Sequence, residues 1–507
     1  MKSWRGVPVL VSVLSGLVVG CGPVPEGEVE SGAVESARES EAVVGTVTAE
    51  GGLIPNGGWE VCDDVTQRVR DIHPTASSTP DALVEVNGRL VFIADDGQHG
   101  RELWVSLGQG RPTSLLKDVN PKGHATPRSL TVMGRWLFFV ADDGDSGPEL
   151  WRTDGTEGGT ARVKDVAPGR MGAVPDQLTV VDGTLYFTAN DGEHGRELWR
   201  TDGTEKGTEL VRDFTPGMYS SDLDKLTAWE SGLALVRYDP ATWNTELWRL
   251  DKWGRMSRLF ILGYGVFEEL EPAGRQLFFT VDAGTGEADL WVTRDTPGTA
   301  KWLRHFPGQH PVSLTALEDA VYFVAGGEGD FGVPGDPVHG SELWTSDGTV
   351  WGTRMVRDIR FGPESAFAPG YVPQLVVLER TLYFAADDGF FGRELWRSDG
   401  TPWGTWLVRD LQPGQAGSDP DALTADTGWL FFSASTSGHG SEVWYSGGWP
   451  WDTRPLADIA SGAASSDPRS FVRSGWDVFF AATDSAGDRE LWSVPFRPTR
   501  YCGDRAR

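Results

Sequence analysis

The sequence predicts an all-β fold: a β-propeller of four-stranded blades, nine of them in one ring, closed by an N-terminal strand. Three observations predict it. Tryptophans recur at Trp104, Trp151, Trp199, Trp248, Trp291, Trp344, Trp396, Trp444 and Trp492, spaced 43 to 53 residues apart, and a period of that size marks a repeat array rather than several unrelated domains. Each period carries four short runs of aromatic and β-branched residues separated by Asp-Gly, Asn-Asp-Gly and Pro-Gly turn signals, with no sustained helical period. No linker breaks the series between Trp104 and Trp492, which argues for one ring although propellers of about 4–8 blades are the common sizes.

The chain opens with Met1-Lys2-Ser3-Trp4-Arg5 and an apolar run from Val7 to Val19, the charged n-region and short h-region of a secretory signal. That run is too short to span a bilayer as a helix. Its end, Val18-Val19-Gly20-Cys21, resembles the bacterial lipobox, which implies diacylation of Cys21 and a mature chain starting there; Gly22 in place of Asp gives no signal for inner-membrane retention. The resemblance therefore implies an extracytoplasmic protein held by its N-terminal lipid in the outer membrane of a Gram-negative bacterium. Residues 1–20 are assigned to the signal and residues 21–58 to an acidic tether. The latter are mostly Glu, Gly, Ser, Ala, Val and Pro, too poor in apolar surface to offset chain entropy. Residues 59–507 are assigned to the propeller.

With 45 Lys+Arg against 73 Asp+Glu the net charge is −28. That argues against a nucleic-acid partner, whose affinity rests on cationic contacts to phosphate.

One repeat serves for all. From Gln177 the chain reads Leu178-Thr179-Val180-Val181, then Thr184-Leu185-Tyr186-Phe187-Thr188-Ala189, then Arg196-Glu197-Leu198-Trp199-Arg200, then Thr208 to Phe214, each ending in a turn. The second run is the most regular, as in Leu137-Phe138-Phe139 and Leu382-Tyr383-Phe384, and should supply the faces that pack blade on blade. Blade four departs from the pattern, with Asp251-Lys252-Trp253 at the usual turn, and blade six carries extra residues from Gly326 to Pro337.

The stretch Glu197-Leu198-Trp199-Arg200-Thr201-Asp202-Gly203-Thr204, with Trp151 to Thr156, Trp344 to Thr349 and Trp396 to Thr401, resembles the repeat of the secreted bacterial ELWxxDGT-repeat proteins. Blades one, four, five, eight and nine keep an acidic residue, an aliphatic and the Trp but lose the turn. The resemblance covers nearly all of residues 60–500. It implies a propeller-like fold, and since that family is defined by its repeat, no particular activity.

The candidate sites are few. Asp95-Asp96-Gly97, Asp142-Asp143-Gly144, Asn190-Asp191-Gly192 and Asp387-Asp388-Gly389 set clustered oxygen donors before a bend, which suits calcium and equally suits a tight hairpin. Calcium is the only cofactor the sequence suggests. His99, His194, His339 and His439 return at one register, three residues before the anchor Glu. They therefore belong to separate hairpin tips and read as turn chemistry. No nucleophile elbow, phosphate loop or zinc motif occurs, and no catalytic residue can be chosen among so many carboxylates.

Blade nine, from Ser470 to Phe496, has only three strands, whereas Val69-Arg70-Asp71-Ile72 matches fourth-strand endings such as Val356-Arg357-Asp358-Ile359. Val65 to Ile72 should therefore be the outer strand of blade nine. With Cys21 lipidated, that closure brings the segments of Cys62 and Cys502 together, and a disulfide between them is expected in an oxidising compartment. Trp351, Trp403 and Trp451 stand seven residues after the anchor Trp in blades six, seven and eight, with Trp449 close by. They form either an exposed ledge for a protein or glycan partner, or covers folded down over the blade edges. The sequence thus points to a lipid-anchored binding or scaffold module. The alternative is a hydrolase or lyase whose groups of shifted pKa converge at the channel mouth.

Overall fold

In a computed structural model, the residues described are 59–61 and 66–498, apart from 264, 283, 285–286, 308–309, 328–338 and 369–370. Each repeat folds into one antiparallel sheet, and nine such blades form one ring with no helix among the described residues. In blade three the strands are Asp176–Val181, Thr184–Asn190, Arg196–Thr201 and Glu209–Arg212. Phe187 pairs with Trp199 and Trp199 with Leu210.

The second strand is a hydrophobic run because both its faces are covered. Leu90 to Ala94 are all buried, Val91 and Ile93 packing with Leu137 and Phe139 of the next blade, and Leu90 and Phe92 with Phe479 and Leu491 of the last. Alternation along a strand thus sends one side chain to each neighbour. The inner strands of blades one, two, three, four, eight and nine carry a register shift near their start, with Ala82, Ser129, Gln177, Lys225, Ala422 and Ser470 left-handed. A bulge at this place strengthens the strand's twist where the ring is tightest.

The ring closes as the sequence predicts. Blade nine supplies Arg469–Ser474, Asp477–Thr483 and Arg489–Pro498, and Gln67–Arg70 adds the outer strand, Gln67 facing Ser493 and Arg70 facing Leu491. A further piece, Trp59–Val61, pairs with the far end of the same strand, Trp59 facing Pro498. The inner strand of blade one, Asp81–Val86, adjoins those of blades two and nine. Cys21, Cys62 and Cys502, and the residues assigned to signal and tether, lie outside the described residues.

Candidate functional site

Most of the repeat motif builds the blade. The anchor glutamate is buried near the start of the third strand, and its carboxylate accepts hydrogen bonds from the link to the next blade. Glu102 takes the N–H groups of Val119, Asn120 and Ala125 at 3.1 to 3.2 Å. Glu149 takes Val166, Ala167 and Ala173, and Glu197, Glu342, Glu394 and Glu442 hold their own links likewise. In blade nine, Glu490 takes the N–H of Ile72 and both donors of Ser78, so the same clamp seals the ring. Burial pushes Glu102, Glu197 and Glu394 up to about 7 and Glu342 up to about 8, against the opposing pull of their donors. These shifted carboxyls stand one per blade, each occupied by its own link, and do not converge on a channel mouth.

The Asp-Gly-Thr segment is a self-contained turn. Asp154 Oδ1 accepts from the N–H and hydroxyl of Thr156, Thr156 Oγ1 accepts from Gly159 N, and Thr153 and Thr160 share a 2.7 Å hydroxyl bond. A Cβ on Gly159 would meet Asp154 Oδ1 at 2.1 Å, so the second glycine, four residues after the first, belongs to the motif as well. The anchor tryptophan receives a cation from the preceding blade: Arg70 over Trp104, Lys164 over Trp199, Arg304 over Trp344 and Arg357 over Trp396, at 4.5 to 5.9 Å. Lys117 and Lys164 also donate to the carbonyls of Thr160 and Thr208 one blade on, each at 2.8 Å.

At the acidic turns the carboxylates hold backbone donors. Asp95 accepts from Gly97 N, Asp96 from Gln98 N and His99 N, Asp142 from Gly144 N, and Asp143 from Asp145 N and Ser146 N. Asp191 accepts from Glu193 N and His194 N, Asp387 from Gly389 N, and Asp388 from Phe390 N and Phe391 N. His99 and His194 close the same turns through Nδ1, 2.7 Å from Asp96 and Asp191, and that contact raises both imidazole pKa values. His339 instead reaches Asp358, just past the outer strand of its blade, at 3.2 Å.

Loops between first and second strands and between third and fourth strands share one face of an up-and-down ring, and the tryptophans emerge there. Trp351 is 93 % exposed, Trp403 94 % and Trp451 66 %. Trp449 stacks on Trp451 at 5.1 Å with planes 10° apart, and Trp406 of blade seven lies 5.6 Å from Trp449. Arg397 sits 4.7 Å over Trp449 and donates to Gly448 O, fixing this trio across two blades. Trp351 and Trp403 project into solvent and cover no blade edge.

Sequence reasoning passed over blades four and five, where the motif decays. Glu246 there binds Arg237, Arg258 and Trp248 Nε1 in place of a backbone link, and blade five puts Asp289 at the clamp position, 2.9 Å from His305. Near them, Glu268, Asp282 and His310 bring ligand atoms within 4.8 Å of one another, with His310 Nδ1 2.7 Å from Glu268. Loss of the repeat was the signal for this region.

No family model matches the chain, and no curated protein does. Among solved structures it is similar to a puromycin-hydrolyzing peptidase of Mycobacterium tuberculosis, at 10 % identity and TM-score 0.42, covering 85 % of this chain and 61 % of that one. It is also similar to the β-propeller domain of the Trilobed protease from Pyrococcus furiosus, at 9 % identity and TM-score 0.31, covering 64 % and 96 %. A puromycin hydrolase gives 12 % identity and TM-score 0.40, with 82 % and 60 % covered.

Proposed function

We propose that this protein is an ELWxxDGT-repeat lipoprotein, anchored through Cys21 in the outer membrane, that acts as an extracytoplasmic binding or scaffold module for a protein or polysaccharide partner. The observation that carries the reading is the exposure of Trp351 and Trp403, with the stacked Trp449 and Trp451, on one face of the ring. Leaving large indoles in water forfeits the burial that a tryptophan otherwise contributes, and rigid aromatics are favoured anchors for sugar rings and protein surfaces. The rest of the motif serves blade architecture, so loops are where function has room to sit.

The test replaces Trp351, Trp403 and Trp451 together with Ala. Because all three are exposed, the variant should melt within a few degrees of the parent. Retention on cell-envelope polysaccharide, or on partners captured from cell lysate, is expected to fall at least about tenfold, the loss that one or two aromatic contacts account for. Full binding by the folded variant removes the ledge as the site.

A further inference from the structure

The second candidate site lies on the opposite face, where the links between blades and the loops between second and third strands emerge. At the junction of blades four and five is a cleft of about 390 Å³, within the size range of small-molecule sites. Its walls include Asp222 and Asp224 at the start of one inner strand, Tyr238 and Trp243 at the neighbouring loop, and Val266 and Phe267 of blade five.

The loop holding Trp243 is built to present it. Blades one, two, three and seven place Asp-Asp-Gly or Asn-Asp-Gly here, and blade four has Asp239-Pro240-Ala241-Thr242-Trp243-Asn244. Asp239 holds the bend, its carboxylate accepting from Ala241 N at 3.1 Å and Thr242 Oγ1 at 2.8 Å, and its carbonyl from Trp243 N at 2.8 Å. Trp243 ends the turn at φ 61°, a left-handed conformation, with its side chain 62 % exposed. Gly and Asn take that conformation readily and a bulky side chain does not. Backbone strain accepted for a side chain that is not buried indicates a use for what the side chain presents. Thr245 Oγ1 donates to Gly265 O at 3.0 Å, tying the far wall in place.

The chemistry of the walls is of one sign. Asp222 and Asp224 are exposed, Asp224 pairs with Lys225 at 4.0 Å, and among the described residues no Lys or Arg lines the cleft. An indole face beside solvent-exposed carboxylates and apolar walls attracts a positive charge carried on an apolar body. We propose that this cleft binds a small organic cation, an amine or quaternary ammonium on an apolar group, with Trp243 against the cation, Asp222 and Asp224 compensating its charge, and Val266 and Phe267 against its apolar part.

Benzyltrimethylammonium, benzylamine and neutral benzyl alcohol, titrated by calorimetry into the mature protein, test the idea. Both cations should bind saturably, more weakly as salt is raised, and benzyl alcohol at least about tenfold more weakly, the discrimination expected of a desolvated cation–π contact with ionic support. Trp243→Asn should weaken the cations about tenfold while melting at or above the parent temperature, because Asn relieves the left-handed residue. Asp222→Asn with Asp224→Asn should abolish the salt dependence. The Trp351, Trp403 and Trp451 triple variant should bind the cations unchanged, which separates this cleft from the ledge. Equal affinity for benzyl alcohol, unchanged affinity in Trp243→Asn, or saturable binding of cellobiose in place of the cations overturns the proposal.

Discussion

Glu102 shows what a single side chain contributes here. Its carboxylate is fully buried and satisfies three backbone N–H groups of the link that follows its blade, so truncation strands three buried donors at once. Glu102→Ala is expected to lower stability by roughly 3 kcal/mol or more, given about 1–3 kcal/mol for each unsatisfied buried group; urea unfolding monitored by circular dichroism measures it. Val132→Ala, at a half-exposed residue of an inner strand, is the control and should cost little. Residue identities of this kind were only partly legible from sequence. Glu and Trp were visible as repeated letters, but the partner of Glu102 lies about 20 residues on and is backbone, which carries no letter. Gly159 could have been found from its fixed spacing to Gly155, because the clash that requires it is with the neighbouring Asp154.

At the level of the blade, the clamp makes stability depend on pH. The ordinary value for these carboxyls is 4.5, and burial raises Glu102, Glu197 and Glu394 to about 7 and Glu342 to about 8. The folded protein therefore keeps protons that the unfolded chain releases between pH 4.5 and about 7 or 8, and the stabilisation present below that window is lost as pH rises through it. The melting temperature should fall by several degrees from pH 5 to pH 8.5, and Glu342→Gln, which cannot titrate, should show a shallower slope. An equal slope in parent and variant would assign the effect to net charge, which is −28. Strands and turns were legible because period-2 runs and Asp-Gly bends are local signals. The bulges of the inner strands were not, since Ala82, Ser129 and Gln177 share no side-chain type, and their left-handed backbone answers to the packing of the ring.

For the whole molecule, nine blades and an N-terminal closing strand were both readable, the first from an unbroken period and the second from the match between Val69-Arg70-Asp71-Ile72 and the outer strands. What could not be read was the cleft of blades four and five, because a site formed where a repeat decays has no repeated letters to reveal it. Deleting residues 59–72 removes both strands that pair with Arg489–Pro498 and one of the two donors of the Glu490 clamp's backbone set, Ile72 N. The truncated protein should melt at least about 10 °C lower in a calorimetric scan, and a ring of this size loses only a few degrees for each kcal/mol, so an unchanged transition would disprove the closure. The closure also orders events in time. Ile72 and Ser78 meet Glu490 across more than 400 residues of chain, so Gln67–Arg70 waits unpaired for Arg489–Pro498, and until then the apolar face of Leu90 and Phe92 is uncovered. Contacts so distant in sequence form slowly, and open edges pair with whatever strand is offered. The interval between making Gln67 and making Ser493 is thus when this chain is most exposed to aggregation.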